Sequence, residues 1–314
     1  MRFCHDMLQE TVTLLSDKKL PYKNSILIGD NASGKSEALR RYMNNVDGIY
    51  YFIDAVNRSF DVRAVKLFED DIVYKDSIVK NRLKDEYYNL KDSWAYYGTP
   101  TECIEMLYFN FENELQKILK KYFSVDFVIQ DRQMREVKYS SGDIGRLSSG
   151  YQACIRMLLE LLYFNNTVIA LGCKEKPVVV IDEIDEYLSP VNAGKFYFLL
   201  KKEFSNLTFV LTTHSADVIA VASECNILVM HEDYVEVLDA SDFRDIDEAM
   251  YIFKEVFGST QTDQDNKYEA CLRKLFNNRL SGIWGEAEQK QYDAIKKEEL
   301  TKAESVLYRQ IGEW

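Results

Sequence analysis

Between an apolar run, Ser25-Ile26-Leu27-Ile28, and a helix-like run, Glu37-Ala38-Leu39-Arg40-Arg41-Tyr42-Met43, the chain places the octet Gly29-Asp30-Asn31-Ala32-Ser33-Gly34-Lys35-Ser36. The octet satisfies G-x-x-x-x-G-K-[ST] at every fixed position, and its strand-then-helix setting is the one that pattern needs. This constrains the fold more than any other feature, because a strand feeding a helix through such a loop belongs to an α/β architecture. Gly29 and Gly34 let the backbone curl until successive N–H groups point inward. The result is an anion nest capped by a helix N-terminus. Lys35 is expected to reach the β- and γ-phosphates of a nucleotide, and the Ser36 hydroxyl to ligate Mg²⁺.

Three later segments extend this reading. Val178-Val179-Val180-Ile181 is an uninterrupted apolar run that ends in Asp182-Glu183, the pattern of a central parallel strand covered on both faces. Ligands of open α/β sheets gather at the carboxyl ends of the strands. Asp182 is therefore expected to hold Mg²⁺, directly or through water. Glu183 is expected to accept a proton from the attacking water, or to orient it. A second strand-like run, Leu207 to Thr212, is followed by His214, one of only three histidines. Alone it would suit a structural role; beyond the acidic strand it suits a donor that senses the γ-phosphate. The remaining segment, Leu147-Ser148-Ser149-Gly150-Tyr151-Gln152, precedes the acidic strand.

Taken in this order, the four segments resemble the ABC-type ATPases, within the branch that includes RecF, SMC and the overcoming-lysogenization-defect proteins. The resemblance implies that LSSGYQ is the family signature, which closes over the γ-phosphate of a nucleotide held by the other subunit. Ser148 would then supply a hydroxyl, Ser149 and Gly150 backbone N–H groups, and Gln152 the end of the motif. Asp182 to Pro190 is similar to the branch's extended acidic motif, in which Leu188 and Pro190 follow the catalytic glutamate; transporter-type members continue differently. The implied fold is a P-loop head with a mainly parallel central sheet, an inserted helical lobe and a C-terminal helical segment. The implied activity is Mg²⁺-dependent ATP hydrolysis by a homodimer or higher oligomer. Gly29 to Ser36 together with Ser148, Ser149, Gly150 and Gln152 would bind ATP, Ser36 and Asp182 the Mg²⁺, and Glu183 and His214 would be catalytic. Three departures stand out. The family begins with several strands, whereas Leu8, Val12 and Leu15 at helical spacing predict an initial helix. For adenine stacking the one candidate aromatic is Tyr22. For the glutamine that normally senses Mg²⁺, Asn57 is the candidate substitute.

The core is expected at 1–60 and 141–240, with 61–140 as an inserted, mostly helical lobe containing one clear strand, Val125 to Ile129. About 110 residues separate Lys35 from the signature, too few for long coiled-coil arms, and no sustained heptads occur. Asn226 to Met230 and Tyr234 to Leu238 predict a hairpin that closes the core. Residues 241–314 are expected to be a helical docking or dimerising segment, or else a helical cap on the core. Its predicted helices span 242–257 and 267–280, and a last one opens at Thr301 with Glu304 three residues on. Trp284, Tyr308 and Trp314 are expected at its surface. Neither the acidic cluster of a Toprim nuclease nor an HNH-like histidine set occurs there.

Charge bears on the partner. A net −12 argues against a general polyanion binder, since such affinity rests on neutralised phosphates. Arg132, Arg135, Lys138 and Arg146 could still line a local groove, or be a solvated hairpin. Six scattered cysteines without a C-x-x-C pair read as reduced thiols in a cytoplasmic protein. No signal-peptide pattern or membrane-spanning apolar run is expected. Small RecF-like ATPases without arms or a fused nuclease resemble the ATPase subunits of antiphage defence systems of the Septu (PtuA-like) type. The expected function is thus an ATP-driven switch that controls a separate effector such as a nuclease. A RecF-like repair clamp that binds DNA directly, and a non-catalytic ATP-binding scaffold, are the alternatives. Whether nucleic acid is bound stays open.

Overall fold

The structure is a computed structural model. It describes residues 5–16, 19–46, 48–65, 77–92, 94, 103–129, 137–138, 147–172, 177–243, 246, 248–250, 268, 272, 275, 279, 284–295, 300, 308–309 and 311–312. Two compact units divide the chain, 1–256 and 257–314.

The first unit is built on a six-stranded sheet. Its strands are β1 Asn24–Gly29, β2 Tyr50–Ile53, β5 Val178–Ile181, β6 Thr208–Thr212, β7 Cys225–Met230 and β8 Val235–Asp239, in the order β2-β5-β6-β1-β7-β8. Five strands are parallel, and only β8 runs antiparallel, on β7. The fold is therefore α/β with a mostly parallel central sheet. The apolar runs at Ser25–Gly29, Val179–Ile181 and Thr208–Thr212 are buried throughout, as required of parallel strands covered on both sides. Because β1, β5 and β6 point the same way, Gly29, Asp182 and Thr213 leave the sheet at one common edge. That edge is where the octet and both polar segments meet.

α1 His5–Ser16 is the initial helix the spacing predicts, burying Leu8 and Val12. α2 Lys35–Asn45 follows the octet. α3 Ser77–Arg82 and α4 Glu112–Phe123 lie between β2 and β5 in the chain. Of the predicted strand at 125–129, only Val128–Ile129 (β3) pairs, antiparallel to Val137–Lys138 (β4). Lys138 thus sits on a hairpin; Arg132, Arg135 and Arg146 lie outside the described residues.

α5 Ser149–Leu171 begins at the signature and packs against β2, α4 and the turn Ile104–Leu107. By length and composition alone it could cross a membrane, as many buried core helices could. Its apolar side chains are instead mostly buried inside the protein, and it carries Arg156 and Glu160 into the core. There Glu160 accepts from Arg82 Nη1 at 2.6 Å and Nη2 at 3.0 Å, from Arg156 Nε at 2.8 Å and from Tyr51 Oη at 3.0 Å. Arg156 also grips both oxygens of Asp92, at 2.9 and 3.1 Å. Four donors from three segments satisfy one buried carboxylate, the condition under which a buried charge is tolerated. α6 Pro190–Glu203 is capped by Ser189, whose hydroxyl accepts from Asn192 N–H, with proline in the first turn, where its missing donor is not needed. α7 Ala216–Ala220 follows β6.

The second unit has its own small core of Leu272, Leu275, Ile295 and Ile311, with Tyr268, Trp284, Tyr292, Leu300 and Tyr308 packed on it. A helix spans Glu286–Ile295. Tyr292 stacks on Tyr308 at 4.2 Å between centroids and meets Trp284 edge-on at 6.0 Å. Trp284 and Tyr308 are thus half-buried members of this core rather than surface aromatics, because packing on Tyr292 removes more apolar area from water than exposure would. Trp314, Thr301 and Glu304 lie outside the described residues, as does most of 242–257 and 267–280.

Candidate active site

The octet forms a tight turn at the end of β1. Ala32 and Gly34 have φ of 63° and 96°, the left-handed region that curls a loop around an anion. At Gly29 a Cβ would come within 2.6 Å of Ser33 Oγ and 2.8 Å of Met230 O, so only glycine fits. Asp30, Asn31 and Ala32 are exposed on the loop, while Gly34 and Lys35 are buried at the start of α2. Lys35 Nζ curls back to donate to Gly29 O at 2.8 Å and Asp30 O at 3.0 Å. Burial lowers its pKa, and Asp182, Glu183, Asp30 and Asp185 oppose that shift. Ser33 Oγ is buried without a hydrogen-bond partner among the described residues. A desolvated ammonium, an orphaned hydroxyl and an inward-curled backbone fit a polyphosphate.

Asp182 is fully buried at the end of β5. Its carboxylate accepts from Thr212 Oγ1 at 2.6 Å and from Asn89 Nδ2 at 2.8 Å. Thr212 Oγ1 in turn accepts from Glu183 N–H at 2.7 Å. One hydroxyl on β6 thereby orients both consecutive acids that follow β5. Glu183 is half-buried, and its pKa is raised first by burial and then by Asp182, Glu186 and Asp185. A carboxylate of raised pKa at such an edge can serve as a proton acceptor. Mg²⁺ keeps several waters and takes one or two protein oxygens beside phosphate oxygens. Ser36, half-buried in the first turn of α2, and Asp182 meet that requirement. Adjacent residues bridge them: Tyr88 Oη donates to Ser36 O while Asn89 holds Asp182.

His214 is half-buried beyond β6. Its backbone N–H points at both oxygens of Asp185, 3.2 Å each, and Thr213 Oγ1 donates to Asp185 at 2.7 Å. Burial and then Lys35 hold the His214 pKa below its usual value, so the ring is neutral at neutral pH. Asp185 thus fixes the loop that carries His214, a role that no local pattern announces.

The signature has a separate set of partners. Ser148 and Ser149 are exposed, with Ser148 capping α5 by accepting from Tyr151 N–H at 3.4 Å. Gly150 faces the carbonyl of Tyr187, which a Cβ would meet at 3.1 Å. Gln152 turns inward, donating to Leu147 O at 3.0 Å and accepting from Phe60 N–H at 3.4 Å. None of these partners belongs to the octet. The structure gathers Lys35, Ser36, Asp182, Glu183 and His214, and leaves the signature serines facing outward.

One candidate is overturned. Tyr22 precedes β1, whose span of six residues at about 3.3 Å per residue carries it to the opposite end of the sheet. There its hydroxyl donates to Asp239 at 2.8 Å, so it cannot stack on a base held by its own octet. Asn57 donates to the Asp54 carboxylate and to Lys91 O. Asn89, between α3 and α4, is the asparagine that reaches Asp182. Its φ of 52° is a turn conformation that asparagine tolerates, and nothing in its sequence neighbourhood marks it for the site.

No family model and no curated protein matches this sequence. Solved structures do. An SMC ATPase described for ATP-driven dimerization and DNA-stimulated activation is 19% identical, covering 49% of this chain and 97% of its own, with a TM-score of 0.33. The SMC head domain from Thermotoga maritima is 19% identical over 40% of this chain and 46% of its own, TM-score 0.29. The cbiO1 protein of Clostridium perfringens, part of the ABC transporter complex cbiONQ, is 15% identical over 81% of this chain and 86% of its own, TM-score 0.35. This chain therefore spans less than half the length of the Thermotoga head. At such scores the chemistry of the site rests on its own residues.

Proposed function

We propose that this chain is a Mg²⁺-dependent ATPase that dimerises around ATP and controls a separate effector, a nuclease, in bacterial antiphage defence. The observation that carries the ATPase reading is the convergence of a phosphate cradle, a buried Asp182 and a half-buried Glu183 of raised pKa at one sheet edge. In the reaction, Lys35 and the octet N–H groups hold the β- and γ-phosphates, and Ser36 and Asp182 hold Mg²⁺. Glu183 takes a proton from the attacking water, and His214 contacts the γ-phosphate. Bound Mg²⁺ supplies charge neutralisation at the phosphates. The dimer reading is supported by the outward-facing Ser148 and Ser149, and by the exposed Tyr187 whose carbonyl lies beside Gly150, with Val191 exposed shortly after it. These residues would close on the partner's nucleotide. The defence role rests on the resemblance of the motifs. Within it, residues 241–314 dock the effector through faces other than the Trp284–Tyr308 core.

The test is phosphate release by the purified full chain with ATP and Mg²⁺. Glu183→Gln should lower turnover by on the order of 10²–10⁴-fold, keep nucleotide binding and accumulate dimers in light scattering. Failure of the unaltered protein to bind ATP would overturn the reading.

A further inference from the structure

Glu183 stands in the left-handed region, φ 52°, which a residue with a Cβ enters only when its surroundings hold it there. Two groups grip the Asp182–Glu183 peptide, one at each of its polar ends. Its N–H donates to Thr212 Oγ1, at 2.7 Å. Its carbonyl, Asp182 O, accepts from Arg58 Nη2 at 2.9 Å, and the same nitrogen reaches the next carbonyl, Glu183 O, more weakly at 3.4 Å.

Arg58 comes from the loop after β2 and is only 2% exposed. Its Nε and Nη1 have no hydrogen-bond partner among the described residues. Burial lowers its pKa, against the pull of Asp54 and Glu160. A side chain that only filled this space would do better as an apolar one, since idle buried donors on a cation are costly. What the cation does in return is bracket two consecutive carbonyls at the residue whose carboxylate must be aimed. Its loop is itself held by the signature helix, through Gln152 to Phe60 N–H and Arg156 to Ser59 O at 3.5 Å.

We propose that Arg58 is the positioning residue for Glu183, fixing the peptide from which the general base projects. This rests on the proposal that the chain hydrolyses ATP. Arg58 touches no reacting atom and acts through the backbone that carries Glu183.

The experiment compares the full chain with Arg58→Met, Arg58→Lys, Glu183→Gln and the Arg58→Met/Glu183→Gln double variant. The readouts are kcat, KM, affinity for a fluorescent ATP analogue and the melting temperature. Arg58→Met should lower kcat on the order of 10-fold to 100-fold, the scale of a small misplacement of a reacting group, with KM and analogue affinity changed by less than about threefold. Arg58→Lys, which keeps a donor for one carbonyl, should recover part of the loss. In the Glu183→Gln background Arg58→Met should have no further effect, because the group it positions is gone. Arg58→Met with kcat within about twofold of the unaltered protein would overturn the proposal. So would an equal fold-loss in both backgrounds, or a kcat loss tracked by lost analogue affinity. If Arg58→Met does not fold, the Arg58→Lys pair with and without Glu183→Gln is read by the same criterion. An unaltered protein that binds ATP without hydrolysing it would sink the ATPase reading itself, and the positioning role of Arg58 would fall with it.

Discussion

Glu160→Gln tests whether the buried ion cluster holds the signature helix in place. Burial alone would raise the Glu160 pKa, but Arg82 and Arg156, by charge and hydrogen bonds, bring it down to about 2 from an ordinary value of 4.5. That depression, at about 1.4 kcal/mol per unit, corresponds to roughly 3 kcal/mol of stability at neutral pH. It agrees with the roughly 3–5 kcal/mol typical of removing one partner from a buried pair. In a unit of this size about 3 kcal/mol lowers the melting temperature by roughly 6–12 °C. A depressed folded pKa contributes stability that is fully present above the unfolded pKa and is lost as pH falls towards the folded one. The gap between the unaltered protein and Glu160→Gln should therefore be full at pH 7 and narrow steadily below about pH 4.5. Thermal melts of both proteins from about pH 7 down to about pH 3.5 measure it. A gap under about 1 kcal/mol at pH 7, or one that does not shrink with acid, would refute the reasoning. Because Tyr51, Arg82 and Arg156 come from β2, α3 and α5, the same loss should loosen α5 against the sheet, and hydrogen exchange along Ser149–Leu171 would report it.

Asn89→Leu removes the donor to the Asp182 carboxylate and the acceptor for Ala55 N–H. It should raise the Mg²⁺ concentration for half-maximal turnover by about 10-fold while nucleotide binding in EDTA is unchanged; an unshifted Mg²⁺ titration would deny Asn89 its part. Glu183 must be ionised to accept a proton, and its pKa is raised, so turnover should be lost as pH falls through a value above the ordinary glutamate range of about 4.3. Glu186→Gln, which removes one of the charges raising it, should move that acid limb down in a kcat–pH profile, and an immobile limb would show that Glu186 does not act on the base.

The chain's local patterns were enough to determine the glycine-bounded turn after β1, the apolar strands, their acidic and histidine ends and the start of α5. Each of these is written in contiguous residues whose spacing carries its own physics. An octet with two glycines in that setting curls, and an apolar run ending in acids emerges at a sheet edge. Tertiary structure decided which groups serve that edge. Asn89 lies 93 residues from Asp182 and Arg58 lies 124 residues from it. Both are polar residues in irregular segments, so no periodicity marks them. Tyr22 shows the converse error: close to the octet in sequence, it is carried to the far end of the sheet because a strand extends the chain. Thr212, Asp185 and Arg58 matter only because parallel strands bring their ends side by side. Hydrogen bonds between such ends form through space, and the sequence alone does not record which loops will meet there.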